Sequence, residues 1–365
     1  MNHGKLQVLV VTPLGEGGKG GIDRIMDGLR EAIQKDLDDS SVVVRFSVSR
    51  GQKPIFFSVF FLLGVLLKII FLKLFSKLDL VHLNLSSHGS CSRKTIIARL
   101  CEWLNVDYVI HLHGSRFRTY VAEINGSHMG VAVNRMMCNA AKVIVLGQVW
   151  KEYVIAAFGI AESKISLLKN ASESVSVSSK TDGSSTNIIF LGRLGSRKGV
   201  PDLIAAAKAM AHLPNWSLTI AGDGEVAEMK ALALRLGVDE RIAFTGWVDP
   251  ATVNQLIHTA DVLVLPSYDE NLPMSVIEGM AAGLAVICTP VGAVPDIIFD
   301  GINGLLVEPG DVANLSAAMQ KLVSDQPFRR ELGVSARAFH AEHLEINVFK
   351  HNLFGIWAAV GRSLG

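Results

Sequence analysis

Cysteine is scarce in this chain: four thiols, at Cys91, Cys101, Cys138 and Cys288, are spread over 365 residues. None belongs to a C-x-x-C pair and none is spaced with histidine as zinc ligands are, which excludes a disulfide framework and a zinc ribbon. They are expected as buried thiols in a reducing compartment. A dominant charge sign is lacking as well. A net charge of +1 gives no indication of a nucleic-acid-binding tail, so no nucleic-acid partner is expected. With 49% hydrophobic residues the chain is also not of the disordered class. No signal-peptide layout opens it, because the apolar run at 6–11 reads as a strand, and cytoplasmic residence is expected.

The sequence present is long enough for two domains of ordinary size. Short apolar runs alternate with helical patterns, at 8–12, 42–47, 80–83, 108–112 and 142–146 in the first half. Five more follow at 187–191, 217–221, 242–245, 262–265 and 286–289. This alternation predicts an α/β chain of two doubly wound, Rossmann-like domains with parallel sheets. The serine-rich stretch 172–185 reads as a linker between a domain at 1–171 and one at 186–345. A crevice between two such domains is a preferred place for a ligand. Residues 1–175 carry 21 Lys/Arg against 14 Asp/Glu, whereas the remainder carries 14 against 20. A basic first half suits contact with an anionic surface or a phosphorylated lipid.

Residues 55–75, IFFSVFFLLGVLLKIIFLKLF, form the most apolar run, interrupted by Lys68 and Lys73. Three readings stand. A core helix beneath the first sheet is one, although such helices seldom carry Phe on every side. A membrane span is another, but it would hold Lys68 deep in hydrocarbon at a cost of about 3 kcal/mol. An in-plane helix with both lysines snorkelling to headgroups fits composition and fold together. Arg45, Arg50, Lys53 and Lys77 nearby tilt that reading toward an anionic inner leaflet.

Glu270 and Glu278 lie eight residues apart, between the apolar runs at 262–265 and 285–288. Glu270 falls in the loop after the first run and Glu278 near the start of the following helix. In open α/β sheets this is where ligands bind, and a helix start supplies backbone N–H groups suited to an anion. Ser275-x-x-Glu278 can also be read as a capping box. The loop Gly15–Gly21 has the glycine density that lets backbone approach a phosphate or sugar. It is not a Walker A loop, because Pro13 stands where the first glycine belongs and Gly20 where Ser/Thr would bind magnesium. Asp36-Leu37-Asp38 has the spacing of a metal-binding D-x-D motif but lies in a polar, surface-like run. No third ligand joins His111 and His113, so neither a metal nor a cofactor is expected.

Seven stretches in order carry a resemblance: GEGGKGG at 15–21, HLHGS at 111–115, FLGRLGSRKGV at 190–200, AGDGE at 221–225, FTGWV at 244–248, the glutamate segment at 267–298, and DGINGLLVEPGD at 300–311. Together they resemble the retaining glycosyltransferases of family 4, which have the GT-B fold of two Rossmann-like domains facing a central cleft. The resemblance implies an enzyme that moves a hexose-type sugar from a UDP- or GDP-sugar, without metal, with retention at the anomeric carbon. It implies that Arg193, Lys198 and Gly18 bind the donor diphosphate, and that His113 and Glu270 act catalytically. Glu270, Asn271 and Leu272 would hold the donor sugar, Glu278 the ribose, and Gly222 and Val248 the base. Asn271 stands where the commonest family pattern has Gly, a departure that bears on which sugar fits. Residues 346–365 are implied to cross back onto the first domain. The acceptor implied is a lipid-linked oligosaccharide at the inner face of the cytoplasmic membrane, in polysaccharide assembly. Two alternatives share the fold: a sugar-nucleotide epimerase or hydrolase, which would not need the Phe-rich helix, and a non-catalytic scaffold, which would be expected to lose the cations or glutamates.

Overall fold

The computed structural model describes residues 5–18, 20–36, 41–75, 77–175 and 185–362. It divides into two compact units: Met1–Asn170 with Ile346–Gly365, and Ala171–Glu345. Of the linker read at 172–185, residues 176–184 lie outside the described residues, as do Lys19, Leu37 and Asp38 of the motifs above and the last three positions of 346–365.

The first unit contains β1 (Leu6–Thr12), β2 (Val42–Val48), β3 (Leu80–Leu85), β4 (Asp107–Leu112), β5 (Lys142–Val145) and β6 (Ile165–Leu167). They form one sheet of order β2-β1-β3-β4-β5-β6, every neighbouring pair parallel. Val8 to Val11 are fully buried, as expected of a central parallel strand covered on both faces. The helices α1 (Gly21–Lys35), α2 (Ser58–Phe75) and α3 (Gly89–Trp103) follow β1, β2 and β3. The final helix, Ile346–Arg362, belongs to this unit: Trp357 Nε1 donates to His82 Nδ1 at 3.1 Å, and Phe349 stacks on His111 with ring centroids 6.3 Å apart. Lys350 pairs with Asp36 at 2.5 Å.

In α2, Val65, Ile69 and Leu72 are buried, and Leu62 and Leu66 pack beside them on the core. This stripe follows the helical period. The rest of the helix points outward, with Phe60, Leu67 and Phe71 all more than half exposed. Ile55–Phe75 is long and apolar enough to cross a membrane by length and composition, yet 17% of its apolar window is buried in the unit. Its two lysines are placed differently, Lys68 half-buried and Lys73 exposed. Lys68 Nζ turns inward and donates to the Phe46 carbonyl at 2.8 Å, and Lys73 Nζ donates to Asn105 O at 3.3 Å. The reason lies in the edge position of β2, which leaves Phe46 O without a ladder partner on that side.

The second unit contains β7 (Thr186–Leu191), β8 (Trp216–Ala221), β9 (Ile242–Gly246), β10 (Val262–Leu265), β11 (Ala285–Cys288) and β12 (Leu305–Leu306), ordered β12-β11-β10-β7-β8-β9 and again parallel throughout. The order reverses between β7 and β10. The loops leaving those two strands therefore part at the carboxyl edge and open a crevice.

Four histidines are held neutral by burial. Desolvation lowers His82 and His340 to about 4, His113 to about 3, and His111 well below the ordinary value. The unfolded chain takes up these protons near pH 6.5 and the folded chain resists until about pH 4. Stability is therefore complete above about pH 6.5 and falls as pH drops toward 4. Urea unfolding at pH 7 and pH 5 is expected to differ by up to about 2 kcal/mol per such histidine. His82→Gln should shrink the difference, and an equal pH dependence in the variant would refute the assignment.

Candidate functional site

The residues that position the crevice of the second unit are those of two loops 72 residues apart in sequence. After β7 the chain passes Gly192, Arg193 and Leu194 into a single turn of 3-10 helix, Ser196–Lys198, and ends it at Gly199. After β10 it passes from Pro266 to Pro273 and enters the helix Met274–Ala281. Lys198 Nζ and Glu270 Oε1 form an ion pair across the gap, with side chains only 14% and 12% exposed. Arg197 Nη1 donates to Asp269 O at 2.9 Å, and the Tyr268 amide donates to Arg197 O at 2.9 Å. Tyr268 Oη donates to Asp202 Oδ2 at 2.8 Å. Arg197 is thus committed to holding the loops together. Arg193 is exposed and, among the described residues, has no side-chain partner; its stem lies over Gly224.

The loops nest backbone against backbone, which only glycine permits at two places. Gly199 has φ +66, and a Cβ there would stand 1.9 Å from Pro266 O. Gly292, after β11, has φ +58, and its Cβ would stand 2.3 Å from the carbonyls of both Glu270 and Asn271. The Ala293 amide adds a bond to Asn271 O at 2.7 Å. Asn271 and Leu272 are each 4% exposed, so the loop after Glu270 is fixed from below. Glu278 lies on the fifth residue of its helix and is half-buried. The capping-box reading of Ser275 and Glu278 does not hold: Pro273 occupies the cap and no side chain bonds there. Gly222 and Val248 follow β8 and β9, whose ends are joined by Gly222 N–H to Gly246 O at 2.9 Å. Arg193, Lys198, Gly222, Val248, Glu270, Asn271 and Leu272 therefore all stand on loops at one sheet edge, and Glu278 on the helix leaving it.

His113 and Gly18 belong to the first unit. His113 follows β4, its ring 4.0 Å from His111, and its Nε2 lies 2.9 Å from Asn84 Oδ1. Because Asn84 Nδ2 faces Val11 O, its oxygen faces the imidazole and His113 donates through Nε2. Burial and then His82 hold His113 near 3 while a hydrogen bond with Asn170 opposes them, so the ring is neutral at physiological pH. The glycine loop is occupied from within. Asp23 Oδ1 accepts the Leu14 and Gly15 amides, both at 3.0 Å, Gly17 donates to Asp27 at 2.9 Å, and Gly18 donates to Gly15 O at 3.0 Å. The Gly18 amide is thus directed at its own loop in this structure. Asp23 was not singled out from sequence, nor was Lys94, although Lys94 falls in helical step with the buried Cys91, Ala98 and Cys101. Among the described residues no three His, Cys, Asp or Glu side chains gather as a metal site.

Residues 171–339, nearly all of the second unit, match the family described as glycosyl transferases group 1. An uncharacterized glycosyltransferase of Methanocaldococcus jannaschii is 29% identical over 213 residues, covering 54% of this chain and 55% of that protein. A lipopolysaccharide 1,6-galactosyltransferase of Escherichia coli K12 is 30% identical over 176 residues, 46% of this chain and 48% of that one. The chain thus spans about half the length of the curated relatives it matches. The solved Anabaena protein HepE in complex with UDP-glucose superposes with a TM-score of 0.74 at 18% identity, over 97% of this chain and all of that one. That likeness shows the fold, α/β with two domains of the GT-B class.

Replacing Gly199 by Ala tests the nesting. A left-handed backbone costs a side-chain-bearing residue about 1–3 kcal/mol, and the contact with Pro266 O adds to this. The variant should lose at least that much in urea unfolding, and an unchanged midpoint would contradict the close approach.

Proposed function

We propose that this chain is a retaining glycosyltransferase of family 4 that moves a hexose-type sugar from a UDP- or GDP-sugar to a lipid-linked saccharide acceptor in polysaccharide assembly. The observation that carries the reading is the Lys198–Glu270 pair across the sheet reversal, with Arg193 unpaired beside it among the described residues. As the bond from the anomeric carbon to the diphosphate oxygen breaks, negative charge grows on the leaving group. Arg193 would meet it with a planar two-pronged contact and Lys198 with a compact charge, so no metal is required. The incoming diphosphate would take Lys198 from Glu270 and release that carboxylate to accept sugar hydroxyls. Glu278 would accept the ribose hydroxyls, and Gly222 and Val248 would border the base. His113, neutral, is suited to hydrogen bonding with the sugar and not to acid catalysis. The acceptor oxygen attacks from the face that the diphosphate leaves, and its proton passes to a leaving phosphate oxygen. Retention follows without a protein nucleophile.

The bound UDP-glucose of HepE supports a nucleotide-sugar donor, and the lipopolysaccharide named for the Escherichia coli relative supports a lipid-linked saccharide acceptor. The outward face of α2 supports peripheral attachment to the inner membrane from the cytoplasm. Lys68 is bonded on the protein side and Lys73 stays exposed at the end of the helix, where it can reach headgroups while the apolar face meets lipid.

Calorimetric titration with UDP-, GDP- and ADP-sugars should show micromolar-range binding of one nucleotide class. Lys198→Ala should weaken it at least about tenfold, the loss expected for a charge-assisted contact. No binding by folded protein across the panel would sink the reading. Separately, sedimentation with vesicles containing anionic lipid should carry the parent down and leave a Phe60→Glu/Leu67→Glu variant in solution. Equal sedimentation would refute attachment through α2.

A further inference from the structure

The first sheet also reverses its order, between β1 and β3, and its crevice opens beside α2. Three cations gather at that edge. Arg50 follows β2 by two residues, its amide bonded to Pro13 O at 2.9 Å. Arg93 reaches back along α3, its Nη1 3.3 Å from where a Cβ on Gly89 would stand. Lys94 is fully buried and donates to Ser49 Oγ at 2.7 Å, immediately before Arg50. Among the described residues neither guanidinium has a hydrogen-bond or ion-pair partner, and Arg93 Nε is shut away from solvent without one. Desolvation and then the charge of Arg50 hold Arg93 below its ordinary pKa. Two guanidiniums that repel each other in a half-buried place are stabilised when an anion joins them.

The same loop leads straight onto the apolar surface. The Phe61 ring of α2 stands 2.3 Å from where a Cβ on Gly51 would be, and Gln52 Nε2 donates to Glu16 O of the glycine loop at 3.1 Å. Lys53 Nζ lies 5.6 Å over the Phe57 ring, next to the exposed Ile55, Phe56 and Phe60. Paired basic groups at the end of a largely apolar face match a molecule with a phosphate head and a hydrocarbon tail.

We infer that Arg50 and Arg93 bind the phosphate of a lipid-phosphate acceptor whose hydrocarbon lies along the outward face of α2. Calling this ligand the acceptor rests on the transferase reading; the site itself does not. Lys94 is a positioning residue, which holds the Ser49–Arg50 turn from beneath.

Titration of the full chain with farnesyl diphosphate, farnesol and inorganic pyrophosphate tests the inference. Farnesyl diphosphate is expected to bind, with Arg50→Gln and Arg93→Gln each weakening it at least about tenfold. Arg93→Lys should fall between, and farnesol should bind parent and variants alike. Thermal melting confirms that each variant is folded. Lys198→Ala, altered in the other unit, should retain farnesyl diphosphate affinity. Unchanged affinity in both arginine variants overturns the site. Pyrophosphate binding as tightly as farnesyl diphosphate makes this a site for a free anion and overturns the lipid assignment. Arginine-dependent binding in a protein that takes no nucleotide sugar would sink the transferase reading and leave this site standing.

Discussion

The ion pair between Lys198 and Glu270 ties together the two loops that leave the second sheet at its reversal. A nearly buried pair loses hydration on both sides, so its contribution to stability is small or negative against an apolar substitute. Its value lies in geometry. It fixes an amine and a carboxylate side by side at the carboxyl edge of the sheet. On the function proposed above, the diphosphate would take the amine and the sugar hydroxyls the carboxylate. Arg197, beside them in sequence, is already tied to Asp269 O and so cannot be freed without loosening the loop. Arg193 lies over a glycine with room to turn.

The first unit has the same sheet logic with a different outcome. Its glycine loop resembles a phosphate cradle in composition, yet Asp23 fills the concave side and accepts two of the amides that a phosphate would need. Burial raises the pKa of Asp23, consistent with a carboxylate held where water cannot reach it. Lys94 offsets part of that charge from below, and burial lowers its own pKa to about 7. Positive charge left over at this edge sits on Arg50 and Arg93, to one side of the loop. On the inference drawn above, Arg50 and Arg93 would be the anion-binding groups at this edge.

Much of this architecture was legible in the sequence, because strands buried on both faces must be continuous apolar runs. All ten such runs form strands. The two that were not read, β6 with Ile-Ser-Leu and β12 with Leu-Leu, are short edge strands that are only half covered, and neither leaves a run to detect. The loops of the second unit were legible because glycine at Gly199 and Gly292 is required by close backbone approach. What sequence left hidden were contacts set by tertiary placement. Ser275 and Glu278 have capping-box spacing, but the helix is capped at Pro273, two residues before Ser275. His82 gave no signal until the parallel register set it beside His111 under Trp357. Lys94 did leave a trace, a cation on the apolar face of its helix, readable only by counting the helical period.

The outward face of α2 follows from how the lysines are bonded. A surface helix ordinarily places charge toward water and apolar residues inward. Here Lys68 is turned onto the Phe46 carbonyl, while Lys73, bonded to Asn105 O, stays exposed among outward apolar and aromatic side chains such as Phe60, Leu67 and Phe71. Such an arrangement exposes Ile55, Phe56, Phe60, Leu67, Phe71 and Leu74 on one helical segment, each more than half exposed. It does satisfy the backbone of β2, whose edge carbonyl at Phe46 has no ladder partner on that side. The inward Lys68 and the exposed apolar residues opposite it are the two features on which the proposed attachment to a membrane rests.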